Sequence, residues 1–185
     1  MSDLEQALLA LVEGLEACKL PYILIGGLAV AASGEPRSTL DVDVSVWVED
    51  SGLSQAVECL CKRFSSRSQD PLRFVEKTRV LPLEDHQGIR LDVVFAVLPV
   101  QREAIQRGVP WDVGGKQVQV ASVEDLILMK LISERPKDIE DATALLKRHR
   151  SQIDQDYLRP KLEEMSVGLD RPDILDTFDR IIAAG

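Results

Sequence analysis

Apolar residues at Leu4, Leu8, Leu11, Val12 and Leu15 fall at helical spacing, which predicts an amphipathic helix ending near Lys19-Leu20-Pro21 and packing on a sheet. The short apolar run Tyr22-Ile23-Leu24-Ile25 stops at Gly26-Gly27, and Leu28 to Ala32 reads as a helical turn, so a strand, a glycine turn and a helix follow one another. After a polar loop from Ser33 to Thr39, the stretch Leu40 to Val48 alternates strictly, as a strand with one covered face does. A helix is predicted from about Leu53 to Phe64. Arg79 to Leu83 and Ile89 to Ala96 read as the two strands of a hairpin, and a shorter hairpin is predicted around Gly114-Gly115.

From Ser122 onward no β-rich run returns and the apolar residues fall at helical intervals. Ser122 is a predicted N-cap with Asp125 at the third helical position, and Pro136 separates that helix from the next. Beyond residue 150, Ile153, Tyr157, Leu158, Leu162, Met165, Ile174, Leu175, Phe178, Ile181 and Ile182 predict two more amphipathic helices, packed on the core or meeting a partner. The pattern amounts to an α+β fold, a small mixed sheet packed against helices, with domains over 1–121 and 122–185.

At 185 residues and 45% hydrophobic, the chain can bury a real core. Its start shows no basic segment leading into an apolar one, and no stretch reaches the roughly 18 apolar residues of a membrane span. The expectation is a soluble cytoplasmic protein that binds no membrane. A formal charge of −9 argues against a general nucleic-acid coat, although one docked RNA stays open because charge is screened within about 8–10 Å. Three cysteines, Cys18, Cys59 and Cys61, are expected to be reduced thiols, and with only His86 and His149 beside them a zinc site is hard to assemble.

Candidate chemistry concentrates in Asp41-Val42-Asp43. On an alternating strand both carboxylates project from one face, roughly 6–7 Å apart, while Val42 points the other way. Asp92, inside the apolar run Arg90 to Phe95, is a third acid on a strand that could lie beside the first. At about 6 Å and an effective dielectric near 20, each like-charged pair costs about 2–3 kcal/mol, so a cation is expected nearby. Hard divalent ions such as Mg²⁺ prefer such oxygens and leave open positions for phosphates. For a lone D-x-D the plainer reading is strand-end acids, or ion pairs with Arg37, Arg79 or Arg90. Upstream, Gly26-Gly27 opens a helix, where bare amides favour phosphate and where a β-carbon at Gly27 would crowd them.

Taken together, Gly26-Gly27, then Asp41-x-Asp43, then Asp92 on a later strand resemble the signature of the nucleotidyltransferase superfamily, with the DNA polymerase β-like fold. Arg37 and Thr39 match the Arg-x-[Ser/Thr]-x-Asp pattern of branches related to abortive-infection toxins and antibiotic nucleotidyltransferases. Ser122 to Lys130 followed by Arg135 to Asp141 resembles the toxin-like helical tract, so the likeness spans roughly residues 20–150. The resemblance implies catalysis and metal binding by Asp41, Asp43 and Asp92, with two Mg²⁺ ions, Mn²⁺ being an alternative. It implies nucleotide contacts, ATP among the candidates, from Gly26, Gly27, Arg37, Thr39, Lys130 and Asp138. The implied reaction moves a nucleotidyl group from a nucleoside triphosphate to a hydroxyl, releasing pyrophosphate. A macromolecular acceptor such as tRNA or protein, in a toxin–antitoxin setting with a cognate partner protein, is the first expectation. A small antibiotic-type alcohol, or a non-catalytic nucleotide-binding partner protein, are the alternatives. For Lys130, pairing with Glu134 at i,i+4 competes with a phosphate role, and for Lys137 and Asp141 an i,i+4 pair does. Arg37 and Thr39 can also be plain loop residues. Trp47 and Trp111 are expected in packing rather than in the site.

Overall fold

The structure, a computed structural model, describes residues 1–133 and 135–184. The chain divides into two compact units, Met1–Ala32 with Arg37–Ala121, and Ser33–Pro36 with Ser122–Gly185.

In the first unit, helix α1 (Asp3–Ala17) is held at its start by Ser2 and Glu5, each accepting from the other's backbone amide. Of the stripe read from the sequence, Leu8, Leu11, Val12 and Leu15 are buried and Leu4 is partly exposed. Strand β1 (Tyr22–Ile25) runs directly into α2 (Gly26–Ala32), and β2 (Asp41–Val46) follows. A 3₁₀ turn (Asp50–Gly52), α3 (Leu53–Cys61), β3 (Ser65–Ser66) and α4 (Pro71–Thr78) lead to the hairpin of β4 (Val80–Glu84) and β5 (Arg90–Phe95). Helix α5 (Pro99–Gln106) precedes the second hairpin, β6 (Val109–Val113) and β7 (Lys116–Val120).

The strands form one mixed sheet in the order β3-β4-β5-β2-β1-β7-β6. Strand β2 sits between β5, to which it is parallel, and β1, to which it is antiparallel. Val42, Val44, Leu81, Leu83, Leu91 and Val93 are fully buried on one face of these strands, which fixes register because a one-residue slip would expose them all.

One expectation fails. Cys18 and Cys59 are joined in a disulfide, and only Cys61 remains a thiol, whose pKa burial pushes up. Cys18 follows α1 and Cys59 lies on α3, 41 residues on, with Cα atoms 6.0 Å apart. Helix packing creates that closeness, and no local pattern in the sequence reports it.

In the second unit, α6 (Val123–Ile132) starts at Ser122, whose hydroxyl accepts from the Asp125 amide at 3.1 Å. Asp125 itself is fully buried and accepts from the Ser122 hydroxyl at 2.7 Å and the Tyr157 hydroxyl at 2.8 Å. Pro136 opens α7 (Pro136–His149), then come α8 (Gln155–Gly168) and α9 (Asp173–Ala184). Leu158, Leu162, Ile174 and Phe178 are buried, so the last two helices serve the core of this unit. The segment Ser33–Pro36 is fastened to the end of α7: His149 Nε2 donates to the Ser33 carbonyl at 2.8 Å, and Arg148 stands 3.5 Å from the Glu35 carboxylate. Among the described residues no helix is long and apolar enough to cross a membrane.

Candidate active site

Side chains at positions 41, 43 and 45 share one face of β2, opposite the buried Val42, Val44 and Val46. Asp41 and Asp43 are half-buried there. Parallel pairing sets Asp43 directly beside Asp92 on β5, at a strand spacing of about 4.8 Å, and antiparallel pairing sets it beside Ile25 at the end of β1. The sheet therefore brings the three sequence-predicted acids onto one face, at the starts of β2 and β5.

The glycine pair explains itself against these acids. A Cβ on Gly26, whose φ is +68°, would stand 2.0 Å from Asp43 Oδ2, and a Cβ on Gly27 would stand 2.8 Å from Thr39 Cβ. Thr39 in turn donates from its hydroxyl to Asp41 Oδ1 at 2.5 Å. Each glycine thus makes room for one acid, Gly26 for Asp43 itself and Gly27 for the threonine that orients Asp41. The crowding anticipated at Gly27 falls on Thr39.

A cation that the sequence pattern does not mark stands beside one of the acids. Arg79 pairs with Asp50 at 3.2 Å, Arg90 is exposed in register with Asp41, and Arg37 donates to the Ser38 carbonyl at 3.2 Å. That cation is Arg67, which ion-pairs with Asp92 Oδ1 and anchors its Nε on the Leu83 carbonyl at 3.1 Å. It follows the two-residue strand β3, a stretch with no periodicity, so no sequence signal marks it.

Lys130 and Asp138 lie in the second unit and are brought together there. The Lys130 ammonium, almost fully buried, pairs with Asp138 and stands 3.0 Å from Asp141, while Asp138 also accepts from the Ser133 hydroxyl at 2.6 Å. Burial pushes the Asp138 carboxyl up, but hydrogen bonds from Lys130 and Ser133 and the nearby Lys130 and Arg135 charges outweigh it and hold the pKa below the usual value. Glu134, the alternative partner for Lys130, lies outside the described residues. Trp47 is capped by the Arg102 guanidinium, 5.0 Å from the ring centre.

All three site acids offer hard carboxylate oxygens, the donor set that Mg²⁺ or Mn²⁺ takes. As the side chains stand, with Asp92 turned to Arg67 and Asp41 to Thr39, no three potential ligands close around one point among the described residues.

Residues 1–171 match the family model for "Nucleotidyltransferase of unknown function (DUF6036)". Among solved structures, the chain is similar to an antigenic nucleotidyltransferase-like protein from Paracoccidioides brasiliensis, with a TM-score of 0.50 and 19% identity over 96% of this chain and 93% of that one. It is also similar to the solution structure of the antibiotic-resistance factor ANT(2'')-Ia, with a TM-score of 0.53 and 19% identity over 95% of this chain and 96% of that one. The crystal structure of ANT(2'')-Ia in complex with adenylyl-2''-tobramycin gives 0.51 and 14% over 92% and 96%. At identities this low the likeness shows the fold alone. No curated protein matches the chain.

Proposed function

This chain belongs to the nucleotidyltransferase family whose model its first 171 residues match, and from that premise we propose that it moves a nucleotidyl group from a nucleoside triphosphate to a hydroxyl acceptor, releasing pyrophosphate. The observation that carries the reading is the register of Asp43 against Asp92 on parallel strands, with Asp41 one side-chain step along the same face. Asp41, Asp43 and Asp92 would hold divalent metal, Mg²⁺ or Mn²⁺, which when bound supplies charge stabilisation for the attacking and leaving oxygens. Thr39 keeps Asp41 turned toward its own strand, and Gly26 lets β1 close against Asp43. Gly27 supports this arrangement through Thr39, and Arg37 stands two residues before Thr39 on the loop that enters the acid strand. Lys130 and Asp138 are assigned to nucleotide contact through their match to the toxin-like helical tract.

That same tract supports a macromolecular hydroxyl, on RNA or protein, as the acceptor. A second reading, a small polyol, draws on ANT(2'')-Ia, a chain this one covers to 96% and whose complex holds adenylyl-2''-tobramycin. The test is incubation with each of the four α-labelled nucleoside triphosphates and a cell extract, sorting the label into RNA, protein and small molecules. Label on RNA or protein, with pyrophosphate released, supports the first reading, and label on small molecules the second. Metal-dependent triphosphate binding with no pyrophosphate released in any combination would turn the assignment to a non-catalytic nucleotide-binding protein.

A further inference from the structure

Arg67 is rooted two strands away from the acid it touches. Its amide donates to the Pro82 carbonyl at 2.9 Å, and Pro82 stands opposite Asp92 in the β4–β5 register. With Nε fixed on the Leu83 carbonyl, the guanidinium is aimed along the sheet toward Asp92 Oδ1, and both side chains of the pair are about seven-tenths buried. Asp92 is also the acid nearest Asp43, so one fixed positive charge sits at the end of the row Asp43–Asp92.

We propose that Arg67 is a positioning residue that competes with divalent metal for Asp92, and so sets the metal concentration at which the site is loaded. This rests on the metal-binding reading of the three acids given above. Without metal, the pair offsets the like-charge repulsion between Asp43 and Asp92. With metal, Oδ1 cannot serve both cations, and the arginine has to give way or share the carboxylate.

The test is a double-mutant cycle on Mn²⁺ affinity, read from the electron paramagnetic resonance signal of free Mn²⁺ without substrate or turnover. Parent, Arg67→Met, Asp92→Asn and the double variant are compared. Removing the competitor is expected to tighten Mn²⁺ binding about fivefold or more when Asp92 is present. In the Asp92→Asn background the same change should matter by less than about twofold, since Arg67 acts through Asp92. Equal tightening in both backgrounds would reduce Arg67 to a general surface charge and overturn the inference, as would no tightening in either. A parent that binds no Mn²⁺ in the millimolar range, with or without triphosphate, overturns the metal reading and takes this inference with it. If Arg67→Met does not fold, Arg67→Lys keeps the charge, loses the fork and enters the same cycle, with tightening expected in the same direction.

Discussion

At the scale of single residues, chemistry rests on which side chains the sheet turns to one face. Asp41, Asp43 and Asp92 were legible in the sequence because alternation assigns faces and an acid within an apolar strand stands out. Asp41→Ala, Asp43→Ala and Asp92→Ala are each expected to lower nucleotidyl transfer about a thousandfold, a loss of roughly 4 kcal/mol in transition-state stabilisation, with circular dichroism unchanged. Near-parental transfer by any one of them removes that residue from the proposed metal site. The glycines were legible as a turn but not in their purpose, since only the fold shows Asp43 filling the space beside Gly26. Gly26→Ala combines a left-handed φ of +68° with a contact of 2.0 Å, and the backbone alone should cost about 1–3 kcal/mol. A urea midpoint equal to the parent's would show that β1 and Asp43 part without penalty. Arg67 was not legible at all, because its partner is fixed by register across β4.

Elements with a wide buried face announced themselves, and those without one did not. Strands β1, β2, β4 and β5 and helices α1, α3 and α6 to α9 follow the apolar pattern, whereas the β6–β7 hairpin, in which β6 buries Val113 alone, was marked by Gly114-Gly115 at its turn. Helix α4 buries only Val75, and α5 only Val100 and Ala104, too little to make a stripe. Their markers were end signals: Asp70, which accepts from the Arg73 amide, ahead of Pro71, and Pro99 at the first turn of α5. Between α6 and α7 a polar fastening runs through Lys130, Asp138 and Ser133. Because the Asp138 carboxyl titrates lower in the folded chain than in the unfolded one, its stabilisation is complete above the unfolded value of about 4 and is lost as pH falls through the lowered one. Thermal unfolding followed from pH 6 to pH 3 should therefore show a falling midpoint, less steep in Asp138→Asn. Asp173 and Asp179, lowered by hydrogen bonds from Arg171 and Arg159, contribute to the slope both proteins share. Identical slopes in the two proteins would separate Asp138 from acid stability.

For the whole molecule, the Cys18–Cys59 bridge closes a loop of 41 residues that contains β1, α2 and the acid strand. Chain-entropy reasoning gives such a closure about 4 kcal/mol of stability. Cys18→Ser, or the parent under dithiothreitol, is expected to unfold at lower urea by that margin, with Cys61→Ser behaving as the parent does under oxidising conditions. Equal midpoints for Cys18→Ser and the oxidised parent would leave the bridge without a stabilising role. Composition pointed to reduced thiols because it speaks to an average compartment, whereas the pairing depends on how α1 and α3 meet. The α+β class and the succession of strands and helices came from periodicity, while the order of strands across the sheet depends on register that a linear pattern does not carry.

The attachment of Ser33–Pro36 to the end of α7 also has a temporal side. His149 and Ser33 are separated by 116 residues, so a ribosome elongating at 5–20 residues per second reaches the histidine roughly 6–23 s after the serine. During that interval the strands of the acid face can already have been made, while the loop that leads into them has no α7 to hold it. The segment entering Arg37, Thr39 and Asp41 is thus synthesised well ahead of the partners that hold it, so a nascent chain can pair its sheet before this loop has the contacts that fasten it.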